Sequence, residues 1–465
     1  MKSRKHLWLL AATTAASAIV GSALAAVSAE EAKQLGGSTL TAWGAEKAGN
    51  KEGTIPAYTG TDRPKPPPGY DPKYPGNMPE PYPNEKPLYT ITAQNYTQYP
   101  NLTDGYKAMF QKYPSYRMDI YPTHRTAVHA QPMLDMTLKN ATACKAVNQQ
   151  LRLEGCYGGF PFPIPKTGNE AVWSHIMSHP AWNWDGHVRV WVVDAAGKQV
   201  LQAQYHTTQE ALYQNPAMYN KVLPSNSAYW NLRFDAEAPA RRIGEKTIIV
   251  DGLDPLDPGR RAWTYIPGQR RVKLAPDLAY DTPSPASGGA STMDENRIFL
   301  GAQDRYDMKL IGKKEVYMMY NANKLTDYKT CPDEVSHAPH FLNPDCVRWE
   351  LHRAWVVEAK IKPGIRHVLP HRFLYFDEDT WGGGFADNYD ASGKLYRIDN
   401  NPIITYYFLP VGQNAGDYTY TYDLQTGIYG STGGLGFPGA NYIPSNKAQL
   451  KEFYSPEALA GEGIR

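Results

Sequence analysis

Residues 188–205 read VRVWVVDAAGKQVLQAQY, and this stretch indicates the fold class. β-Branched and aromatic residues fill 188–193, turn-forming residues occupy 194–197, and apolar and polar side chains alternate again over 200–205. Two such runs joined by a short turn predict a β-hairpin, whose strands pair antiparallel.

The same pattern continues along the chain, whereas helical periodicity is scarce. Further strands are predicted at 246–250, 261–266, 269–274, 305–311, 314–320, 348–358, 367–376, 394–398, 403–409 and 417–424, and helices at 28–35, 168–179 and 446–453. Ten or more antiparallel strands without crossover helices curl or close. The sequence therefore predicts a mainly β fold, a large, strongly bent antiparallel sheet or an incompletely closed β-barrel with a few helices in or over its mouth.

Residues 1–25 are predicted to be a cleaved signal peptide. Lys2, Arg4 and Lys5 form a basic start, residues 7–20 are apolar or small, and Ala23-Leu24-Ala25 suits signal peptidase. A membrane anchor is the alternative, but it needs about 20 apolar residues. Loss of three basic residues takes the formal net charge from +2 to −1, which gives no electrostatic basis for nucleic-acid binding. The predicted location is the periplasm of a Gram-negative bacterium, with association to the outer membrane as an option.

The mature chain is expected to have two parts. Residues 26–90 are predicted to be an extended arm rich in proline, glycine and tyrosine, because ten of the 24 residues from Pro64 to Pro87 are proline. Proline fixes φ and removes a backbone donor, so this segment cannot enter a sheet interior. We expect the arm to lie on the surface of a single β domain at 91–465, with Tyr70, Tyr74 and Tyr82 packed down.

The four cysteines favour disulfides, because an exported chain meets an oxidising compartment. Three connectivities are possible, and the predicted one is local, Cys144–Cys156 and Cys331–Cys346. Metal binding is the alternative for the second pair, since His337 and His340 lie between its cysteines. His175 and His179, four residues apart on a predicted helix, would share one helix face but lack a third ligand.

The chain contains no phosphate-binding glycine loop, no dinucleotide fingerprint, no H-E-x-x-H and no G-x-S-x-G. We therefore predict no catalytic residue, no metal and no cofactor.

A second predicted hairpin, residues 260–273, is the candidate ligand site. Trp263 and Tyr265 alternate onto one face, and Arg270 and Arg271 follow the Pro267-Gly268 turn. An apolar concavity with a cationic rim would suit an amphiphile with an acidic head group. The alternative is a surface hairpin whose aromatic residues pack beneath a helix and whose arginines are solvated.

Several blocks resemble a known family. The hairpin resembles that of the outer-membrane lipoprotein-sorting (LolA/LolB-like) superfamily. Residues 43–50 (WGAEKAGN), 53–60 (GTIPAYTG) and 372–381 (RFLYFDEDTW) are similar to the family of unknown function DUF1329. The resemblance covers roughly residues 28–455. It implies a bent, incompletely closed sheet that holds acyl chains, and Trp381 in the last block is added as a candidate ligand residue.

Three functional hypotheses follow. The first is a non-enzymatic periplasmic carrier or binder of a lipid or other hydrophobic molecule. The second is an envelope assembly protein, because members of this family look tied to an outer-membrane β-barrel protein and to RND-type exporters. The third is a hydrolase that uses carboxylates without a recognised motif.

Overall fold

The structure is a computed structural model that describes residues 27–179, 181–409, 413–414, 418–433, 435–440, 442–444 and 448–462. The predicted signal peptide at 1–25 lies outside the described residues. In the described part of the chain, no helix is both long and apolar enough to span a bilayer.

Helices are few and short. The described residues form α1 (Ala29–Ala32), α2 (Asp104–Lys112), α3 (Gln131–Ala143), α4 (Gly168–Ile176), α5 (Asp333–Ser336) and α6 (Pro456–Glu462). Thr167 caps the N-terminus of α4, because its side chain accepts a hydrogen bond from the Glu170 backbone N–H at 3.2 Å. The predicted helix at 168–179 is thus present but ends at Ile176.

Strands dominate the chain. They are β1 (Tyr89–Thr92), β2 (Arg117–Ile120), β3 (Lys145–Val147), β4 (Arg152–Glu154), β5 (Asn183–Val193), β6 (Gln199–Glu210), β7 (Ala228–Ala238), β8 (Lys246–Gly252), β9 (Arg261–Ile266), β10 (Arg271–Leu274), β11 (Tyr306–Met319), β12 (Trp349–Ile361), β13 (His371–Asp377), β14 (Gly384–Tyr389), β15 (Leu395–Asn401), β16 (Ile404–Thr405), β17 (Gln413–Asn414), β18 (Thr419–Asp423), β19 (Tyr429–Gly433) and β20 (Tyr442–Pro444).

The main sheet consists of two antiparallel meanders joined edge to edge. Strands β5 to β10 pair in sequence order and form the first meander. Strands β11 to β15, followed by β18 and β19, pair in the same way and form the second meander. The join is the antiparallel pair β19–β5, and the sheet remains open beyond β10. The predicted mainly β, unclosed sheet is confirmed; its pairs are antiparallel except for the parallel contact of β2 with β12.

The strand register defines two faces of this sheet. Leu374, Ala386, Asp399, Thr421 and Gly430 lie opposite one another in successive pairs and therefore share one face. We call it the cleft face, because it carries the clefts described below. The residues that alternate with these point to the other side of the sheet, the opposite face.

Two large hydrophobic cores cover the sheet. On the opposite face, α2 packs against the second meander, where the Tyr106 ring lies 5.0 Å from the Phe385 ring and its hydroxyl donates to Asn400 Oδ1 at 2.6 Å. On the cleft face, α4 packs on β11 and β12, and its Trp173 is buried in the second core. The second meander is therefore covered on both faces.

The predicted arm lies against the folded part of the chain at two of its three tyrosines. The Tyr70 ring lies 5.2 Å from that of Tyr407, and the Tyr82 ring stacks on His124 at 3.8 Å. Tyr74 is 61% exposed. The boundaries of arm and β domain stay a prediction.

Both local disulfides are present, Cys144–Cys156 and Cys331–Cys346, which confirms the predicted pairing. They occupy the cysteines that the metal alternative required.

Four predicted elements differ from the structure. The predicted strands at 305–311 and 314–320 form one strand, β11, with a bulge between Leu310 and Gly312. Of the predicted strand at 403–409, only Ile404–Thr405 forms a strand, and it pairs with β17. The predicted helix at 446–453 falls partly outside the described residues, and the described C-terminal helices are Lys451–Tyr454 and α6. Local propensity fixes such short elements weakly, so tertiary contacts decide their limits.

Candidate ligand-binding cleft

The cleft face of the first meander is lined by alternating residues of β5, β6 and β7. Gln209 of β6 lies between Trp184 of β5 and Leu232 of β7, and Phe234 lies opposite Thr207. Since side chains alternate along a strand, these residues share one face of the sheet. They form a floor of aromatic, aliphatic and hydroxyl groups.

A loop, residues 284–297, covers this floor, and we call it the closing segment. Its first half is held by its own hydrogen bonds: the Ser284 N–H donates to the Ser291 carbonyl at 2.8 Å, and Ser287 Oγ donates to the Ser284 carbonyl at 3.1 Å. A Cβ at Gly430 of β19 would lie 2.6 Å from Ala290 Cβ. Glycine at 430 therefore permits the segment to approach the sheet this closely.

The second half of the closing segment is anchored by buried charges. Asp294 accepts from His367 Nε2 at 2.9 Å, and Glu295 pairs with Arg397 of β15 at 2.8 Å. Burial alone would raise the pKa of Asp294, but the hydrogen bond from His367 and the charge of Arg372 outweigh it and lower the pKa to about 2. The segment is thus tied to the second meander by an ionised carboxylate.

Two clefts separate the closing segment from the sheet. The first measures about 740 Å³, including space continuous with solvent. Its walls are Trp184, Val188, Thr207, Gln209, Trp230, Leu232, Phe234, Ser284, Ser287, Ala290, Ser291, Asn296, Arg297, Thr419, Thr421, Gly430 and Thr432. Among these described residues, Arg297 is the single charged one.

The second cleft adjoins the first along the side chains of β7. It measures about 620 Å³, again including space continuous with solvent. It shares Trp230, Leu232, Phe234, Ser284 and Asn296 with the first cleft and adds Tyr205, Arg242, Glu245, Thr247, Ile249, Arg260, Leu278, Pro285, Met293 and Leu300.

The charges beside the second cleft are paired. Arg242 lies 2.9 Å from Glu245, and Arg260 lies 2.7 Å from Asp251. Burial lowers the pKa of Arg260, but the Asp251 carboxylate outweighs burial and raises it overall. The cleft walls therefore offer a ligand mainly apolar groups and neutral hydrogen-bonding groups.

The structure places Trp263 and Tyr265 on the opposite face of β9, away from both clefts. Ile248 of β8 is opposite Trp263, and both aromatic residues pack in a small core with Tyr454 and Leu459 from the C-terminal helices. This arrangement matches the stated alternative, aromatic residues beneath a helix.

The other predicted ligand residues are also outside the clefts. Arg270 and Arg271 are exposed at the β9–β10 turn, where Arg270 has a φ of 47°. Trp381 is fully buried in the core on the cleft face, and its indole N–H donates to the Trp43 carbonyl at 3.1 Å. The ligand role of all five residues stays a prediction.

The residues that line the clefts were not predicted, yet β7 had a recognisable signal. Residues 228–238 read AYWNLRFDAEA, in which Trp230, Leu232, Phe234 and Ala236 alternate with polar residues. This is the pattern of a half-buried strand. The closing segment carries no comparable pattern.

Comparison with known proteins places the chain in a family. The sequence profile of the family described as "Protein of unknown function (DUF1329)" matches residues 90–460. The chain belongs to this family. It is 39% identical over 472 residues to the uncharacterized protein PA3922 of Pseudomonas aeruginosa, with all of both chains covered. The predicted family is confirmed.

Two solved structures are similar at low identity. One is a DUF1329 family protein from Desulfovibrio piger, with 12% identity, a TM-score of 0.39, and coverage of 63% of this chain and 97% of the other. The other is a LolA superfamily protein from Nitrosomonas europaea, with 11% identity, a TM-score of 0.36, and coverage of 63% and 99%. None of these descriptions names a catalytic activity.

Proposed function

We propose that this protein binds an amphiphile, a molecule with an elongated apolar part and an oxygen-bearing polar group, in the clefts beneath the closing segment. The observation that carries the proposal is the space between the cleft face and residues 284–297, walled by Trp230, Leu232 and Phe234. Each methylene buried there contributes about 0.8 kcal/mol to binding.

Two polar atoms in the first cleft support a ligand with a hydrogen-bond acceptor. Trp230 Nε1 and Thr207 Oγ1 have no hydrogen-bond partner among the described residues, and both residues are at most 2% exposed. An unpaired buried donor costs about 1–3 kcal/mol. A carbonyl, carboxylate or hydroxyl oxygen of a ligand that reaches either atom would satisfy that donor.

The setting we propose is the periplasm, with a non-enzymatic carrier role. The sequence signal of residues 1–25 and the two disulfides support an exported protein, because disulfides persist in oxidising compartments. Transfer between a donor and an acceptor needs a loop that opens. The closing segment is suited to this, since its first half is held mainly by its own hydrogen bonds.

The envelope-assembly hypothesis has one supporting observation. In the described part of the chain β10 pairs with β9 alone, and its Leu274 is 62% exposed. An exposed edge strand can accept a strand from another protein. An outer-membrane β-barrel protein and an RND-type transporter remain the predicted partners, to be checked by pull-down with the β10 edge blocked by Val272→Pro.

The binding proposal is tested by a substitution that fills part of the first cleft with a larger side chain. Thr432 of β19 is half-buried in the cleft wall, and Thr432→Phe places a ring in the first cleft while keeping a residue suited to strands. Thr264→Phe is the matched control, since Thr264 is half-buried on the same face but outside both clefts.

We expect native mass spectrometry of protein purified from envelopes to show a co-purified amphiphile in the wild type and in Thr264→Phe. Thr432→Phe should lack it and should bind dansyl-labelled undecanoic acid about tenfold more weakly, equivalent to about 1.4 kcal/mol. Equal retention by Thr432→Phe and the control, or a wild type that never carries a small molecule or binds the probe, would contradict the proposal.

A further inference from the structure

A group of three potential metal ligands lies in the second meander, where β12 meets the end of β13, and none of the three lines either cleft. His352 of β12, Asp377 at the end of β13 and Asp379 in the following turn each offer one atom, and the three atoms lie within 4.8 Å of one another. Asp377 is opposite Ala354 of β12, so this group lies on the opposite face of the sheet. Each of the three residues is at most 1% exposed.

The hydrogen bonds of His352 prepare one of its nitrogens for a metal. His352 Nε2 lies 3.0 Å from Glu350 Oε2, and a carboxylate accepts, so this nitrogen carries the proton. In the neutral imidazole that binds metals, the lone pair is then on Nδ1, which lies 4.0 Å from Asp377 Oδ1. A carboxylate that fixes the tautomer of a histidine in this way is the usual support for a metal-binding imidazole.

Two buried polar atoms in this group lack a hydrogen-bond partner among the described residues. They are Asp377 Oδ1 and the hydroxyl of Tyr320, whose ring stacks on His352 at 3.6 Å. Asp377 Oδ2 is satisfied by the Thr380 N–H at 2.8 Å. The free oxygen of Asp377 is therefore the one that faces His352.

Asp377 differs from the neighbouring buried carboxylates, which are paired with arginine. Asp379 receives two hydrogen bonds from Arg125, at 2.7 and 2.8 Å, and Glu350 receives one from Arg348 at 2.6 Å. In the described residues Asp377 has no arginine or lysine partner; its one recorded ion-pair contact is His352. A metal cation would supply the positive charge that no neighbouring arginine or lysine provides to this carboxylate.

We propose that His352 Nδ1, Asp377 Oδ1 and a carboxylate oxygen of Asp379 bind one divalent metal ion of the zinc type. One imidazole nitrogen and two carboxylate oxygens are ligands that Zn²⁺ accepts, at about 2.0–2.2 Å from the ion. In a tetrahedral site such ligand atoms lie about 3.4 Å apart, so His352 Nδ1 and Asp377 Oδ1, which are 4.0 Å apart, must approach each other as the ion binds. Because the site is buried, the ion enters during folding and has a structural role, linking β12 to the turn after β13.

The test measures metal in the full mature chain. Protein unfolded with chelator is refolded with excess Zn²⁺ and dialysed against EDTA, and zinc is measured by mass spectrometry. We expect one ion per chain in the wild type and in Asp387→Asn, a matched control that removes a buried carboxylate on β14 outside the group. Asp377→Asn and His352→Gln should each lose the ion.

Refolding with Co²⁺ gives a readout that does not depend on the variants folding. Wild-type protein should show a visible absorption band typical of cobalt bound by nitrogen and oxygen, and X-ray absorption of the zinc form should show one nitrogen among mainly oxygen neighbours. A wild type that retains no ion after refolding overturns the proposal. So does full zinc content in folded Asp377→Asn and His352→Gln.

Discussion

The two faces of the first meander carry similar side chains but have different covers. On the cleft face the closing segment brings Ser284, Ser287, Ala290 and Ser291, and these small residues leave space above Phe234. On the opposite face the C-terminal helices bring large residues, Phe453, Tyr454 and Leu459, which pack directly on Ile248 and Tyr265. Whether a face of this sheet is open or filled is therefore decided by the size of the side chains that cover it.

Buried carboxylates on the two faces of the main sheet have pKa shifts of opposite direction. Asp294, in the closing segment over the cleft face, has partners that lower its pKa to about 2. Asp387 of β14 lies on the opposite face beneath α2, where a Cβ at Gly105 would be 2.1 Å from Asp387 Oδ1. Burial, the main cause, raises the pKa of Asp387 to about 7, and nearby Asp104 adds to the rise.

The largest expected effect is the pH dependence that Asp387 imposes. In the unfolded chain this carboxyl loses its proton near pH 3.8, whereas in the folded protein it keeps the proton to about pH 7. Between these values the folded state binds more protons, so stability falls as pH rises. The full loss is about 4 kcal/mol, at about 1.36 kcal/mol per pKa unit. About 2.7 kcal/mol of this loss falls between pH 5 and pH 7, so urea unfolding of the wild type should show it between pH 5 and pH 8, and Asp387→Asn should not.

Asp294→Asn on the cleft face is the control with the opposite sign. Because the pKa of Asp294 is lowered, its contribution is present above about pH 4 and is lost as pH falls towards 2. This variant should be destabilised at pH 7 and should lose less than the wild type in acid. A wild-type advantage over Asp387→Asn that is unchanged between pH 5 and pH 8 would refute the assignment to Asp387.

The next largest expected effect is the loss of stability when a disulfide is removed. The two disulfides lie in different cores. Cys144–Cys156 belongs to the core that contains α4, and Cys331–Cys346 to the core that contains α2. They close loops of 12 and 15 residues, so loop entropy predicts a similar loss of about 3 kcal/mol when either pair is replaced by serine. Urea unfolding gives the losses, and circular dichroism should show an intact sheet in both variants. A collapse of strand signal in one variant alone would show that its core depends on the crosslink.

Local patterns predicted the strands better than they predicted the site. The β5–β6 and β9–β10 hairpins follow from alternation and turn residues, and both are present. The same alternation placed Trp263 and Tyr265 on one face but held no information on which face is covered. That depends on a C-terminal helix almost 200 residues later in the chain, and no local pattern encodes such a contact.

The closing segment shows the same restriction more sharply. Residues 284–291 read SPASGGAS, a composition typical of any surface loop. Its position over the sheet is fixed by contacts such as Asp294 with His367 and Glu295 with Arg397, which are 73 and 102 residues apart in sequence. Such pairs are invisible without the fold. The β7 strand, in contrast, could have been found from its alternation.

The smallest expected effects decide between the two faces as ligand sites. Phe234→Ala on the cleft face and Trp263→Ala on the opposite face each remove a half-buried aromatic ring from neighbouring parts of one sheet. Each should cost about 2 kcal/mol of stability, less than a fully buried ring would. Phe234→Ala should weaken binding of dansyl-labelled undecanoic acid several-fold, while Trp263→Ala should leave it within about twofold, since its ring contacts the C-terminal helices.

Arg270→Ala completes this comparison, because the hairpin hypothesis gives Arg270 a direct role with an acidic head group. Arg270 is exposed at the turn, so its loss should change stability by no more than about 0.5 kcal/mol. If the clefts hold the ligand, the set of co-purified amphiphiles seen by native mass spectrometry should be the same in Arg270→Ala as in the wild type. If Trp263→Ala abolishes binding while the protein stays folded, and Arg270→Ala shifts that set towards neutral head groups, the hairpin is the ligand site. The space below the closing segment would then be a packing feature of a sheet whose functional face is the other one.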